Sequence, residues 1–431
     1  MIQARLLILE IDGKTYKTDE WTNVTPSILG LTQRQLHLNN DHPIGILRNL
    51  IENRFKDMGY TFYNQFKPVV TTQENFDSLG FPEDHPGRSK TDTYYINKST
   101  LLRTHTSAHE NECFQKNTTP GYFISADVYR RDEIDRTHYP AFHQMEGARI
   151  WSKTEHGDNL IAKLEEDISE IPQIDIIVED PNPPYHPKTN PKQSHMTDKE
   201  TELVGLHLKK TLELLVNEVF NEAKKSAKLS GNKEPYLNEP LKVRWVEAYF
   251  PWTTPSWEIE VFWKGEWLEC CGCGVVQEQV LTNSGIENHI GWAFGIGLDR
   301  IAMLLFGIPD IRLFWTLDER FAKQFSQGEI TTFKPYSKYP GTLRDVSFWI
   351  PSENSKVHIN DLMEIVRDIA GDLVENVSLV DEFKHPKTGR ISQCYRINYQ
   401  SMDRSLTNDE VNVLQDQIRD TVANSFDVEL R

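Results

Sequence analysis

Hydrophobic and polar positions along the 431-residue chain follow two periods, and the switches between them predict its elements. Ile44, Leu47, Leu50, Ile51, Phe55 and Met58 recur three and four residues apart, which predicts a helix entered at Pro43 and stopped by Gly59. Tyr60 to Val70 reads as one strand containing Pro68, and a proline without an N–H belongs at a sheet edge. Two apolar runs, Ile124/Ala126/Val128 and Tyr139/Ala141/Phe142, flank a densely charged stretch and predict an antiparallel hairpin. A short helix around Asn159–Ser169 leads into a proline-rich polar insertion near 178–196, expected to be a mobile loop. Thr197 and Glu200 form a capping box that opens a long helix with Leu208, Leu212, Leu215, Val219 and Ala223 on one face, closed by Gly231.

Strict alternation follows. Val243–Phe250, then Trp257, Ile259, Val261 and Trp263, a Lys264-Gly265 turn, and Trp267–Cys270 predict successive strands. A glycine-rich strand then feeds a helix whose buried face is Leu298, Ile301, Ala302 and Leu305. The last hundred residues read β-α-β-β-α-β, a ferredoxin-like order. The division expected is an N-terminal extension over 1–40, a main domain over 41–315, a linker over 316–334 and a terminal domain over 335–431. The class is α+β.

A net charge of −17 excludes a wholly basic nucleic-acid-coating surface, although a local basic patch can sit on an acidic protein. Five cysteines, three of them at 270, 271 and 273, do not make a secreted disulfide framework and suit a reducing compartment. No apolar run approaches the roughly 18 residues that span a membrane. MIQARLLILEID, with one arginine, no serine and two acids, suits a short strand better than a transit peptide.

Candidate chemistry is offered at four places. The hairpin turn carries Arg130, Arg131, Arg136, Asp132, Glu133, Asp135 and His138 where Asn-Gly or Asp-Gly would be usual, and arginine forks suit phosphate. His105 and His109 stand four apart beside Glu110, but the His-Glu-x-x-His order and a third ligand are missing, so a metal site is not expected there. Cys270, Cys271 and Cys273 lack a second pair and are expected to be buried thiols against a glycine turn. Gly295 and Gly297 lack the third glycine of a dinucleotide loop.

The hairpin, worded YRRDEIDRTHYPAFHQMEG, resembles motif 2 of the class II aminoacyl-tRNA synthetases, and in particular the single-chain organellar phenylalanyl-tRNA synthetases. Pro43–Val70 resembles motif 1, GWAFGIGLDRIAMLLFG resembles motif 3, and LLRTHTSAHE, FPWTTPS and KYPGTLRDVSF resemble further blocks of that family. The resemblance implies an antiparallel sheet flanked by helices, followed by a ferredoxin-fold anticodon-binding domain. It implies ATP-dependent activation of L-phenylalanine and transfer to tRNA(Phe), with Mg²⁺ accompanying ATP, in a monomer of the mitochondrial matrix with no membrane attachment.

By position in the motifs, Arg130 and Arg300 would hold phosphates, the catalytic pair. Ser107, Ala108, His109, Glu110, Thr137, His138, Tyr139, Gln144, Met145 and Glu146 would line the substrates. Phe250 and Trp252 would wall the phenylalanine ring, Ala293 would stand at its para position, Phe294 would border adenine, and Glu269 would be the metal or substrate ligand. The family usually has Gln where Glu110 stands, a second Phe where Trp252 stands, and Glu where Asp132 stands. RNA contact in the terminal domain would rest on Lys338, Arg344, Arg404 and local aromatics. Adenylate formation needs only motifs 2 and 3, so it is expected to survive loss of 335–431. The alternative is a catalytically silent, synthetase-derived RNA-binding protein, which would show damaged motifs; another ligase of this fold would have no use for the terminal domain.

Overall fold

The structure, a computed structural model, describes residues 8–116, 118–335, 339–350 and 357–431. Its centre is an eight-stranded sheet. Helix α1 (Pro43–Phe55) enters with Pro43 at its first position and the His42 ring capping Ile44 N, as the pattern predicts. Strand β1 (Tyr60–Tyr63) follows. Helix α2 (Glu110–Lys116) precedes β2 (Gly121–Tyr129) and β3 (Ala141–Ser152), the two arms of the charged hairpin. After α3 (Leu160–Glu170) come β4 (Ile176–Glu179) and α4 (Asp198–Leu229), whose Thr197/Glu200 capping box is formed. Then β5 (Leu241–Phe250), β6 (Thr253–Trp263), β7 (Glu266–Val276) and β8 (His289–Gly297) lead into α5 (Leu298–Phe306).

The strand order is β1-β2-β3-β8-β7-β6-β5-β4. The six inner strands are antiparallel to one another, while β1 on β2 and β4 on β5 pair in parallel at the two edges. Helices α1, α4 and α5 cover one face. Leu208, Leu212 and Leu215 of α4 and Ile301 and Leu305 of α5 pack there on Phe123, Met145, Trp257, Trp292 and Phe294. The opposite face is covered only in part, by a smaller cluster around Phe114, Tyr122, Ala148, Leu281 and Ala293.

Four expectations are corrected. Tyr60–Val70 is two short strands, because Pro68 breaks the ladder: Val69–Thr71 belongs to a separate three-stranded sheet. The lead-in is not free of the core, since Ile28 and Leu36 are buried in the main cluster, and residues 8–17 form a hairpin. The insertion is anchored: Asn190 is buried, donates to Ser256 O at 2.8 Å and accepts from Ser256 N at 2.7 Å, while Gln193 donates to Thr254 O and Val276 O. The cysteines are buried thiols, but Gly272 and Gly274 beside them lie inside strand β7 and not in a turn.

Segment 316–334 also carries Phe321, Phe325, Ile330 and Phe333 into the main core, so it packs rather than spans. The terminal domain follows as β9 (Thr342–Trp349), α6 (Ile359–Ala370), β10 (Val374–Lys384), β11 (Ile391–Tyr399), α7 (Asn408–Phe426) and β12 (Glu429–Leu430). Its sheet order, β10-β11-β9-β12, is the expected ferredoxin-like one. Among the described residues, no helix is both long and apolar enough to cross a membrane.

Candidate active site

Successive residues of a strand point to opposite faces, so β3 divides its side chains between core and solvent. Met145 is fully buried on the helix-covered face, whereas Gln144 and Glu146 face the other way into a cleft. Register carries that cleft across the sheet. Glu146 pairs with Gly295, Gly295 with Gly272, and Gly272 with Glu258. Two adjacent glycines make a floor without side chains. A Cβ on Gly295 or Gly297 would meet nothing within 4 Å, so the space above them is open.

The cleft of about 210 Å³ is walled by His105, Thr106, Ser107 and Glu110 on one side and by Phe250, Trp252 and Ala293 on others, with Arg130, Gln144 and Glu269 at its rim. The Phe250 ring lies directly over Gly272, where a Cβ would come within 2.5 Å of it. Trp252 stacks on Phe250 at 6.2 Å and on Phe81 at 5.4 Å, and Phe81 stacks in turn on His105 at 5.7 Å. This is an apolar slot with flat walls, suited to an aromatic ring. A larger cavity of about 750 Å³ opens beside Arg149, whose guanidinium and the neighbouring Lys163 both pair with Asp167, at 2.9 and 3.0 Å.

Polar groups in the cleft, by contrast, lack partners. Arg130 is half-buried, its Nε donates to Thr104 O at 2.8 Å and its guanidinium lies 5.2 Å from the Phe142 ring. Burial lowers its pKa from the ordinary arginine value, with Asp132 opposing. Among the described residues, no carboxylate forms an ion pair with it. Glu146 accepts from Ser107 Oγ and, at 3.0 Å, from Thr106 Oγ1, leaving Oε1 without a partner. Glu110 Oε2 and both ring nitrogens of His105 are likewise unpartnered. Burial pushes the Glu146 carboxyl up to about 7 and, with the neighbouring Glu146 charge, raises Glu110 well above the carboxylate range. His105 is drawn down to about 3 by burial and then by Arg130, so its ring is neutral.

The structure does not bring every expected residue to the cleft. His109 stacks flat on Phe66 at 4.3 Å and accepts from Arg103 Nη1 at 3.0 Å, because guanidinium can only donate. Ala108 is buried in the smaller core cluster, and Met145 in the larger. The Phe294 ring turns to the helix side, edge-on to Phe123 at 5.4 Å, so only its backbone borders the cleft. Thr137 and His138 are gathered around Asp135 on the exposed hairpin loop. Tyr139 stacks on Trp315 at 5.3 Å and donates to Asp372 of the terminal domain at 2.8 Å. Arg300 is exposed in the first turn of α5, outside the enclosed part of the cleft. That turn is tied to motif 2 by Asp299, which accepts from His143 N at 2.6 Å.

The hairpin loop is also not a free solvated turn. Arg131 pairs with Asp361 at 3.0 Å and Arg136 with Glu375, while Arg367 donates to Asp132 O at 2.8 Å. Ile134 is buried in the terminal domain's core, and its carbonyl accepts from Val377 N at 3.1 Å. Of the loop's three arginines, only Arg130 is left for a ligand. Residues that sequence reasoning missed are Phe81, which lies in a block (NFDSLGFPEDHPGR) resembling the family but was given no role, and His105, considered only as a metal ligand; the Thr-His-Thr-Ser block held the signal for the second.

Comparison with known proteins agrees with this geometry. The family described as "tRNA synthetases class II core domain (F)" matches residues 28–206 and 229–325, and the "Ferredoxin-fold anticodon binding domain" matches 337–431. The mitochondrial phenylalanine–tRNA ligase of Saccharomyces cerevisiae is 59% identical over 98% of this chain and 95% of its own length. The chain belongs to the phenylalanine–tRNA ligase family of class II synthetases. The mitochondrial enzyme of Mus musculus is 41% identical, covering 98% of this chain and 89% of its own, and the chloroplastic/mitochondrial enzyme of Arabidopsis thaliana is 42% identical over 96% and 83%. Membership of that family makes ATP a substrate of the chain.

Proposed function

We propose that this chain activates L-phenylalanine with ATP to the phenylalanyl adenylate and then transfers the acyl group to the terminal adenosine of tRNA(Phe), as a monomer in the mitochondrial matrix. The observation that carries this reading is the meeting of one unpaired arginine and two unpaired buried carboxylates with an aromatic slot on a side-chain-free floor. The aromatic ring enters between Phe250 and Trp252, with Ala293 at its far end. Glu146 and Glu110 meet the α-ammonium, and Gln144 and the neutral His105 offer hydrogen bonds to the rest of the backbone.

The substrate carboxylate attacks the α-phosphorus and pyrophosphate leaves. Charge develops on phosphate oxygens, where Arg130 is already held by Thr104 and Phe142; such pre-placed donors stabilise the transition state without reorganising. Arg300 meets the outer phosphates at the start of α5. In the second step a hydroxyl of the terminal adenosine attacks the acyl carbonyl and AMP leaves.

Mg²⁺ would sit at the open end of the floor, where Glu269 lines the cleft and its charge, after burial, raises the nearby Glu258 carboxyl. Among the described residues no three His, Cys, Asp or Glu side chains gather to hold a metal alone, in keeping with an ion held by one or two carboxylates and substrate phosphates. It would shield charge on the departing pyrophosphate.

For the tRNA, the expected contacts redistribute. Arg404 is paired with Glu410 at 2.9 Å and Arg344 is held by Asn412 at 2.9 Å, while Lys338 lies outside the described residues. Trp349, flanked by Arg390 at 5.0 Å and Arg431 at 5.5 Å with Phe383 beside it, is the better platform for an unstacked base. Pyrophosphate exchange measured across the twenty amino acids tests the activity: exchange confined to phenylalanine is expected, and exchange with none or with another amino acid would sink the assignment.

A further inference from the structure

We propose that Glu110 and Glu146 hold one proton between them in the unliganded enzyme and give it up when the substrate's α-ammonium enters, so that amino-acid binding is coupled to proton release. The inference rests on the cleft being the amino-acid site, and it concerns how that site is charged.

Both side chains are almost fully buried, at 2% and 3% exposure, and both line the same wall of the cleft. Each keeps one oxygen without a hydrogen-bond partner. Among the described residues neither forms an ion pair. The groups packed around them do not supply the missing charge. On its own helix, Glu110 has the buried thiol Cys113, while Lys116 is taken by Glu112 at 2.6 Å on the outer side. From β2 comes Tyr122, whose buried hydroxyl is itself unpartnered, with Tyr63 beyond it. From the Thr106 turn come two hydroxyl donors to Glu146 and the neutral ring of His105. Arg130 lies at the rim of the same cleft.

Two buried carboxylates without a cation cannot both be ionised at low cost, so one keeps its proton. Glu146 takes both hydroxyl donors, which favour its anion; Glu110 has none, so the proton resides mainly there. An α-ammonium placed against the two free oxygens brings the absent positive charge. Glu110 then ionises, its proton passes to solvent, and the ammonium is held by two carboxylates. No covalent bond changes. A glutamine at this position would offer a neutral amide and have no proton to give.

Calorimetric binding of L-phenylalanine to the full chain without ATP, in two buffers of different ionisation enthalpy between pH 6 and 8.5, tests the coupling. The expected result is release of about one proton per phenylalanine near neutrality, with the affinity rising by up to about tenfold per pH unit there. Glu110→Gln should release clearly fewer protons and bind with a weaker pH dependence, because only Glu146 then remains to titrate. Equal heats in both buffers with a flat affinity would overturn the coupling while leaving the substrate assignment intact. Proton-releasing binding of another amino acid in place of phenylalanine would support the coupling and overturn the substrate. Infrared difference spectra of the unliganded protein at pH 7 decide the matter independently: a protonated-carboxyl band removed by Glu110→Gln supports the shared proton, and its absence overturns it.

Discussion

The two faces of the eight-stranded sheet are made by the same strands and obey opposite rules. On the helix face Phe123, Met145, Trp292, Phe294 and Ile296 belong to one apolar layer, and Gly147 within it leaves room for the Phe294 and Phe123 rings; a Cβ there would come within 2.4 and 2.8 Å of them. On the cleft face the same alternation delivers Gln144, Glu146 and Gly295, and the space above Gly295 remains open. The stretch of a sheet face that its own protein leaves uncovered, with unpaired charge beside it, is arranged for a ligand.

The sharpest test removes the charge that the cleft face holds ready. Arg130→Ala and Arg300→Ala are each expected to lower adenylate formation by on the order of 10²-fold, the usual loss when one pre-placed donor to developing phosphate charge is removed. Near-normal pyrophosphate exchange in both would exclude them from the site. Glycines on the two faces should then respond oppositely. Gly295→Val should fill the ligand's space and abolish measurable exchange at an unchanged Tm. Gly147→Ala should destabilise the fold by about 1–3 kcal/mol through overpacking and leave the folded fraction active. If both variants lost stability alike, the distinction between the faces would fail.

A third test asks how far the cleft face depends on support from outside the sheet. Because Ile134, Arg131 and Arg136 are clasped by the terminal domain, deletion of 335–431 should release the motif 2 loop as well as abolish tRNA charging. Adenylate formation is expected to fall by about tenfold or more, since small misplacements of catalytic groups are costly; full activity in the truncated, folded chain would show that the clasp does not position Arg130.

Specificity is a smaller effect. Ala293, 6% exposed between Ala148 and Gly274, closes the far end of the aromatic slot. Ala293→Gly should admit para-chlorophenylalanine and shift its activation relative to phenylalanine by up to roughly 10²-fold, the span over which shape alone discriminates. An unchanged ratio would mean that the methyl does not meet the ring.

The smallest effects are on stability, and the faces should differ in sign with pH. His42 and His207, on the helix side, are held near 3 by burial. Below the unfolded value of 6.5 the unfolded chain binds more protons, so their contribution is complete above pH 6.5 and lost on acidification, by on the order of 1–2 kcal/mol each by pH 5. Glu110 and Glu146 act in reverse: with raised folded pKa values they favour the fold at acid pH and oppose it as pH rises from about 4.5 through 7. Thermal melts of Glu110→Gln should therefore match those of the unaltered chain at pH 4.5 and exceed them at pH 8. A constant difference across that range would contradict the burial of the ionisable pair.

Much of this was legible along the chain because it depends on local periodicity. The capping box at Thr197, the 3.6-residue stripe of α4, the alternation of β6 and the β-α-β-β-α-β order each follow from interactions within a few residues. The motif residues Arg130, Glu146, Phe250, Trp252 and Ala293 are named differently, from the resemblance of their short segments to the family's motifs.

What the chain could not say is which face of a strand meets helices and which meets solvent, since alternation is symmetric under a shift of one residue. Met145 and Phe294, neighbours of Glu146 and Ala293, were therefore expected in the site and lie on the other side of the sheet. Tyr139 and the arginines after Arg130 were claimed by a domain more than two hundred residues away, through contacts that no local pattern encodes. His109 was settled by the buried Arg103 and the Phe66 ring, and the charge state of Glu110 by its burial and by Glu146 beside it. These are outcomes of tertiary packing, because burial and pairing are properties of what surrounds a residue and not of the residue itself.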